Sequence, residues 1–486
     1  MLLSALTGPE VAAPAAASHV QVTGITADSR AVRPGYVFAA LRGSKADGAK
    51  FIDDAVAKGA VAVIAAADAA LIVPNDVTVL RAAEPRRALA LMAARFYGAQ
   101  PRVAVAVTGT NGKTSVAEFT RQVFAACGRS AASLGTIGLV KPDGGVYGSL
   151  TTPDPVSLHE TLAELAGEGV THLSLEASSH GLDQHRLDGV RLTAGAFTNL
   201  GRDHLDYHAT EADYLAAKLR LFSDVLEPGR VAVINMHSAH APEVMAVAQA
   251  RGLRILTTGA QDDDLKLVSL ARDGFAQRIT IRHAGRDYGM RFPLLGAYQV
   301  ENALVAAGLA MAAGEDAAAA IGAIGGLKGV SGRLEIVGER DGALVIVDYA
   351  HKPEALGAAL DALRPFATGR LVCVFGCGGD RDKGKRPIMG RIAVEKAEVV
   401  IVTDDNPRSE RPEVIRAEIL AAAPGAREIR DRGEAISAAV GLLGPGDVLL
   451  VAGKGHETGQ IVGDKVHPFS DQDAVREALG GGGGND

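Results

Sequence analysis

The stretch "VAVTGTNGKTS", residues 105–115, runs from small apolar residues into two glycines, a lysine and two hydroxyls. It leads into "KTSVAEFTRQVFAACG", a helical pattern, so the glycines sit between a strand and a helix, the context in which backbone amides can cradle a phosphate. Gly109 and Gly112 would let those amides close on the phosphates. Lys113 would neutralise the outer phosphates, and the Thr114 hydroxyl is placed to ligate Mg²⁺. The spacing departs from GxxxxGK[ST], because Val107 stands where the first glycine belongs. The Lys-Thr pair in register disfavours the bland alternative, a glycine-rich turn. A phosphate loop alone does not separate a regulatory ATPase from a kinase or a ligase.

Outward from this loop the chain reads as α/β. Residues 1–98 hold short β-like runs such as "VAVIAA" and "VTVL" and close with a helical stretch, "EPRRALALMAARFYG". From 99 to 328, apolar strands ("RVAVAVTG", "THLSLEAS", "AGAFTNL", "RVAVIN") alternate with helical segments, the signature of a mostly parallel sheet. The glycine-rich "AIGGLKGVSGR" (323–333) reads as a linker into a third unit, 329–486. There "ALVIVDYAH", "RLVCVFGCGGDRD", "EVVIVTDDNPR" and "DVLLVAGKGHE" each run from a strand into a polar or glycine motif. Ligands bind beyond the carboxyl ends of parallel strands, so these four motifs are expected to converge on one edge. The tail "GGGGND" is of low complexity.

The bulk numbers agree. A chain of 486 residues exceeds one ordinary core, and about three domains is the prior. Cys127, Cys373 and Cys377 form no CxxC, which argues against a disulfide framework or zinc site and for a reducing compartment. The N-terminus lacks a basic leader and is interrupted at Gly8-Pro9, so no export signal is read and a cytoplasmic location is expected. No apolar run is long enough to suggest a membrane span. A net charge of −7 offers no basic footprint for nucleic acid but leaves room for a local anion pocket.

Two segments of the middle region, "LEASSHGLDQHR" (175–186) and "TNLGRDHLDYH" (198–208), follow strands and are dense in polar side chains. Glu176 and His204 could hold a hard metal ion through an oxygen and an imidazole; either taken alone reads more simply as a surface or satisfied residue. Lys218, in "YLAAKLRLFSD", reads on composition as a solvated charge on an amphipathic helix. In the last region "TDDNPRSE" offers two carboxylates, an amide and a guanidinium around a proline, the mixture a zwitterionic amino acid needs; the plain alternative is an Asp-Asn-Pro turn. Arg381, Lys383, Lys385 and Arg386 form either an anion site or solvated surface, and "AGKGHETGQ" adds Lys454, His456 and Glu457.

Taken in order, "GTNGKTS", "TTPDP", "EASSHGLDQHR", "NLGRDHLDYH", "AAKLRLFS", "ENALVA", "GRLE", "DYAHKPEAL", "GCGGDRDKGKRP", "DDNPR" and "GKGHE" resemble the Mur ligases, and within them the branch that adds meso-diaminopimelate. The likeness runs from about residue 24 to about residue 473. It implies a UDP-sugar-binding domain, a central P-loop ATPase and a Rossmann-like amino-acid domain. By motif, Ser29 and the loop Gly43, Ser44, Lys45, Ala46 would contact uridine diphosphate, and Thr151, Thr152, Ser178, Gln184 and Arg186 the muramoyl-dipeptide. Gly109, Thr110, Asn111, Gly112, Lys113, Thr114 and Ser115, with Asn302, Arg333, Asp348 and His351, would bind ATP. Arg381, Asp405, Asn406, Pro407, Arg408, Gly453 and Glu457 match the diaminopimelate pocket.

The resemblance also assigns Lys113, Lys218, His204 and Glu176 to catalysis, and Thr114, Glu176, His204 and Lys218 to two Mg²⁺ ions, with Lys218 carbamylated to N6-carboxylysine. It implies an acyl-phosphate ligase of peptidoglycan synthesis, working as a monomer on small-molecule substrates. The "DNPR" form goes with diaminopimelate, whose second carboxylate Arg408 could grip; lysine-adding relatives differ there. Two positions depart from the family pattern: Lys352 where a threonine is common, and "GSK" in the uridine loop. The competing readings are a lysine-adding or folylpolyglutamate-synthase-like ligase, a P-loop regulatory ATPase, and a silent UDP-sugar binder.

Overall fold

The N-terminal apolar runs pair as a parallel four-stranded sheet, β1 (Gly24–Thr26), β2 (Tyr36–Ala39), β3 (Ala62–Ala66) and β4 (Thr78–Ala82), in that order. The computed structural model describes residues 1–14, 18–43, 47–69, 71–147, 151–201, 203–204 and 207–480. It packs as two compact units, one of Met1–Lys113, Thr120–Thr257 and Val305–Ala320, the other of Thr114–Phe119, Thr258–Leu304 and the chain from Ile321 on.

In the first unit, helix α1 (Pro85–Tyr97) starts on a proline whose fixed φ suits a first helical turn, and it buries Ala88, Leu89 and Met92 on the N-terminal sheet. Its Arg87 reaches Asp188 at 3.1 Å.

The central strands are β5 (Val103–Thr108), β6 (Ala131–Gly135), β7 (His172–Glu176), β8 (Ala194–Phe197) and β9 (Val231–Asn235). They lie in the order β9-β8-β5-β7-β6, and all four neighbouring pairs are parallel. All six residues of β5 are buried, as expected for a parallel strand covered on both faces. Strands β7 and β8 flank β5 on opposite sides, so a crevice opens at its carboxyl end. Register then does the positioning: Val107 opposes Glu176, and Thr108 opposes Phe197, the residue before Thr198. The phosphate-loop segment caps β5 and runs into α2 (Lys113–Ala126).

The second unit corrects the expectation of unbroken alternation to residue 328. Strands β10 (Leu265–Asp273), β11 (Ala276–His283) and β12 (Arg286–Phe292) form an antiparallel meander. Its turns are two residues long, Gly274-Phe275 and Ala284-Gly285; the latter has φ of 48° and 79°, the twist that closes a tight hairpin.

The last sheet runs β13 (Glu335–Arg340), β14 (Ala343–Asp348), β17 (Val448–Ala452), β15 (Leu371–Phe375), β16 (Val399–Val402), and ends on a short strand at Arg427–Glu428. Only β13 is antiparallel to its neighbour. Alternate residues face opposite cores: Leu344, Ile346 and Leu450 pack with α5 (Pro353–Leu363) and α6 (Lys385–Lys396), while Val345, Val347, Leu449 and Val451 pack with α7 (Arg432–Gly441) and α8 (Asp471–Gly480). The carboxyl ends of β14, β15, β16 and β17 thus share one edge, as the sequence pattern implied. No helix among the described residues is long and apolar enough to cross a membrane.

Candidate active site

The phosphate-loop segment is held from the side by the end of β8. Gly109 has φ +149°, and a Cβ there would stand 1.9 Å from Thr198 Oγ1, so only glycine fits. Thr198 Oγ1 donates to Asn111 O at 2.7 Å, Asn111 N donates to Asn199 Oδ1 at 2.9 Å, and Thr110 N donates to Asn199 O at 2.8 Å. Thr110 Oγ1 accepts from Gly201 N at 2.9 Å and lies 3.1 Å from the Tyr214 hydroxyl. Thr198, Asn199 and Tyr214 were not among the sequence candidates; they stand inside quoted motifs, but nothing in the linear pattern aims them at the loop.

Two lysines meet the same backbone. Lys113 Nζ donates to Gly109 O at 2.9 Å and Thr110 O at 3.0 Å. Lys218 Nζ donates to Gly109 O at 2.7 Å and stands 4.3 Å from the Tyr214 ring centroid. Lys218 is 1% exposed on α4 (Glu211–Arg220), which overturns its reading as a solvated charge. Tyr214 and Lys218 are four residues apart, which puts both on the inner face of the helix. Thr114 and Ser115 are buried in the first turn of α2.

Glu176 and His204 keep separate partners. Glu176 is buried at the end of β7; its Oε1 accepts from Thr136 N at 2.7 Å and its Oε2 from Thr136 Oγ1 at 3.2 Å. His204 adopts φ +52°, a left-handed conformation costly for a side-chain-bearing residue, with Nε2 3.1 Å from Asp203 Oδ2 and its ring edge-on to His180. Among the described residues no three His, Cys, Asp or Glu side chains gather as a metal cage.

The residues matched to the muramoyl-dipeptide do come together. Thr152 Oγ1 donates to Glu176 O at 2.9 Å and lies 3.0 Å from Ser178 Oγ; Thr151 Oγ1 lies 3.0 Å from Thr136 Oγ1. Arg186 donates to Thr152 O at 2.6 Å and to Gln184 Oε1 at 2.8 Å. Of the residues matched to uridine diphosphate, Ser29 is buried, with its carbonyl taken by Lys58 Nζ at 2.9 Å, and Gly43 is exposed. Ser44, Lys45 and Ala46 lie outside the described residues.

In the second unit Arg333 stacks on Tyr349, its guanidinium carbon 4.6 Å from the ring centroid. Gln299 joins the neighbouring pieces, accepting from Asn302 Nδ2 at 3.0 Å and donating to Arg333 O at 3.2 Å. Asp348, at the end of β14, accepts from Leu334 N at 2.7 Å. Burial raises its carboxyl to about 6, against the lowering pull of Arg333 and of backbone donors. His351 packs on Tyr349, as does His456, whose imidazole burial and then Arg333 depress to about 4.

The residues matched to the diaminopimelate pocket meet where β16 and β17 end. Asn406 Nδ2 donates to Glu457 Oε2 at 2.8 Å, while its Oδ1 accepts from Lys454 Nζ at 3.1 Å and from Ile461 N at 2.9 Å. Asp405 is buried, its Oδ1 taken by Asn406 N and its Oδ2 left without a partner beside Gly453. After the buried Pro407, Arg408 turns left-handed at φ +52° and donates to Gly379 O at 2.9 Å. Asp404, the other carboxylate of the motif, is spent on Arg416. The basic cluster is not one patch. Arg386 is fully buried between Glu410 (2.9 Å) and Glu418 (2.7 Å), Lys383 lies 3.2 Å from Glu410, Lys385 donates to His351 O at 2.8 Å, and Arg381 is exposed.

The first unit thus carries a glycine loop and a lysine beyond a parallel strand, the setting of a nucleotide-phosphate site, and the second carries carboxylates, an amide and a guanidinium beyond its own parallel sheet. Three family models match in succession: Mur ligase family, catalytic domain (21–97), Mur ligase middle domain (107–310), and Mur ligase, glutamate ligase domain (332–455). The chain belongs to the Mur ligase family and has its three-domain, mostly parallel α/β architecture. It is 58% identical over 485 residues, 99% of each chain, to a Bradyrhizobium diazoefficiens protein named UDP-N-acetylmuramoyl-L-alanyl-D-glutamate–2,6-diaminopimelate ligase. A solved structure of a ligase so named matches at 36% identity and TM-score 0.70, covering 95% of both chains. MurF ligase from Thermotoga maritima shares the fold at 19% identity and TM-score 0.62, over 95% of this chain and 97% of its own.

Proposed function

We propose that the protein is an ATP-dependent, C–N bond-forming ligase of peptidoglycan precursor synthesis, joining meso-diaminopimelate to the γ-carboxyl of the D-glutamyl residue of UDP-N-acetylmuramoyl-L-alanyl-D-glutamate. The observation that carries this reading is the edge at β16 and β17, where Asp405, Asn406, Glu457 and Arg408 stand on neighbouring turns. Carboxylates suit the ammonium of an amino acid, and a guanidinium suits a carboxylate. Near-complete likeness to relatives named for this reaction supports it.

In this chemistry the γ-carboxylate attacks the γ-phosphate of ATP, giving an acyl phosphate and ADP; the diaminopimelate amine then attacks the acyl carbon and expels phosphate. Repulsion between carboxylate and triphosphate is the main barrier to the first step, and Lys113 at the loop offsets it. Magnesium suits the hard donors present, the Thr114 hydroxyl and the buried Glu176 carboxylate. Mg²⁺ keeps much of its shell as water and phosphate and needs no preformed cage. Thr114, Glu176, His204 and a carbamylated Lys218 would hold two ions, whose charge would further reduce that repulsion. The carbamate at Lys218 rests on the family likeness: the modified nitrogen would keep one N–H for Gly109 O and gain carboxylate oxygens able to meet an ion. Residues 1–98, with Ser29 and the loop from Gly43, bind the uridine end; 99–328 bind ATP; 329–486 bind the amino acid. The second carboxylate of diaminopimelate goes to Arg408, whose left-handed backbone is the kind of strain kept at binding sites. The enzyme works as a cytoplasmic monomer.

The test is phosphate release with ATP, Mg²⁺ and the UDP-muramoyl-dipeptide, comparing meso-diaminopimelate, L-lysine and no amino acid. Release that requires diaminopimelate, with equimolar tripeptide, is expected. Equal use of lysine would overturn the role of Arg408, and release without amino acid or product would leave a simple ATPase.

A further inference from the structure

The first turn of α8 joins two segments assigned above to different substrates. Gln472, 7% exposed, points its amide nitrogen at three acceptors: Glu335 Oε2 at 2.8 Å, Gly455 O at 3.0 Å and Ser331 Oγ at 3.3 Å. Its carbonyl oxygen faces Ser470 Oγ at 3.2 Å, so the network fixes the orientation of the amide. Glu335 Oε2 in turn accepts from Gly332 N at 2.8 Å, next to Arg333. Gly455 lies in the loop that carries Glu457, and it packs so tightly on Gly332 that a Cβ at Gly332 would stand 2.4 Å from the Gly455 carbonyl carbon. The preceding residue anchors the same turn. Asp471 forms a two-point, fully buried ion pair with Arg432 at 2.6 and 2.7 Å, and Arg432 also donates to Ala452 O, the last residue of β17, at 3.0 Å.

We propose that Gln472 is a positioning residue that locks the Gly453–Glu457 loop to the Ser331–Glu335 segment, so that Glu457 on the amino-acid side and Arg333 on the nucleotide side are held in one register. A buried donor serving a carboxylate and a carbonyl cannot be replaced by shape alone, because each abandoned acceptor keeps its desolvation cost. What the two segments bind rests on the ligase reading; the lock itself does not.

The sign of the effect separates a lock from simple packing. Gln472→Glu keeps the volume but sets a carboxylate against the Glu335 carboxylate and the Gly455 carbonyl, whereas Gln472→Leu merely removes the donor. A packing role ranks Glu as the milder change; the lock ranks it as the worse. Hydrogen exchange on the free full-length protein reads this directly. In Gln472→Glu the amides of 331–335 and 453–457 are expected to exchange together about tenfold faster, less so in Gln472→Leu, with recovery in Gln472→Glu/Glu335→Gln, where the second change restores a donor to the pair.

In turnover, KM for both ATP and diaminopimelate is expected to rise about tenfold in Gln472→Glu with kcat changed by less than about threefold. Unchanged exchange in both segments overturns the lock even if the enzyme makes tripeptide. Faster exchange in the variant, together with a wild-type protein that makes no tripeptide, upholds the lock and sinks the ligase reading. Should Gln472→Glu fail to fold, Gln472→Leu carries the same exchange test, and wild-type rates in both segments overturn the proposal.

Discussion

At the residue scale, three side chains carry separable expectations. Lys113→Ala removes the cation at the phosphate loop and should lower kcat by at least about a thousandfold; near-normal phosphate release in the complete reaction would remove Lys113 from the mechanism. Arg408→Ala should raise KM for diaminopimelate by about 10–100-fold, the cost of leaving a carboxylate ungripped, while KM for ATP stays within about twofold. Asp348 gives a pH signature. Its carboxyl sits at about 6 in the fold against an ordinary 3.8, so its contribution to stability is fully present below the lower value and is lost as pH rises through the higher one. The two-unit gap corresponds to about 3 kcal/mol at neutral pH. Asp348→Asn keeps an acceptor for the Leu334 amide, so its Tm relative to wild type should climb between pH 4 and pH 7. A flat difference would mean that the carboxylate is not strained by burial.

At the element scale, the turn after β16 depends on the start of α6. Arg386, fully buried, ties Glu410 to Glu418, and Glu410 also accepts from Asp380 N at 2.7 Å. The Arg386 hydrogen bond comes first among the causes that pull the Glu410 carboxyl down to about 2. Only Arg386 of this trio is deeply buried, so Glu410→Gln strands its charge and should cost about 3 kcal/mol in urea unfolding, and Arg386→Met in that background should recover part of it. Additive losses in the double variant would show that the two do not act as a pair. This element also shows where the linear pattern misleads: "GCGGDRDKGKRP" reads as one basic patch, but the first turn of α6 carries Arg386 inward while Arg381, in the loop before the helix, is exposed. The antiparallel meander at 265–292 was likewise signalled by Asp273-Gly274 and Ala284-Gly285, yet an alternation of strands with helices was read through it.

At the scale of the whole molecule, ATP bound only by the folded chain should stabilise it by mass action, about 2.7 kcal/mol at a hundred times its Kd. A thermal shift with ATP and Mg²⁺ is expected for the wild type and should vanish in Lys113→Ala. A shift retained in the variant would place nucleotide binding elsewhere. The N-terminal sheet and the central strands lie in one compact unit, where Arg87 and Asp188 tie them.

What the sequence determined by itself was whatever lives in short windows: apolar runs long enough to be parallel strands, glycines at their ends, and the order of motifs that marks the family. Those depend on local periodicity and backbone freedom, which neighbouring residues decide. The tertiary structure decided which polar side chains matter to one another. Lys218 is a plain helix lysine until α4 lays it against Gly109, Asp404 leaves the amino-acid edge because Arg416 takes it, and Gln472 gains its role from segments 137 and 17 residues away. Burial and hydrogen-bond partners are set by contacts distant in sequence, and a linear pattern carries no record of them.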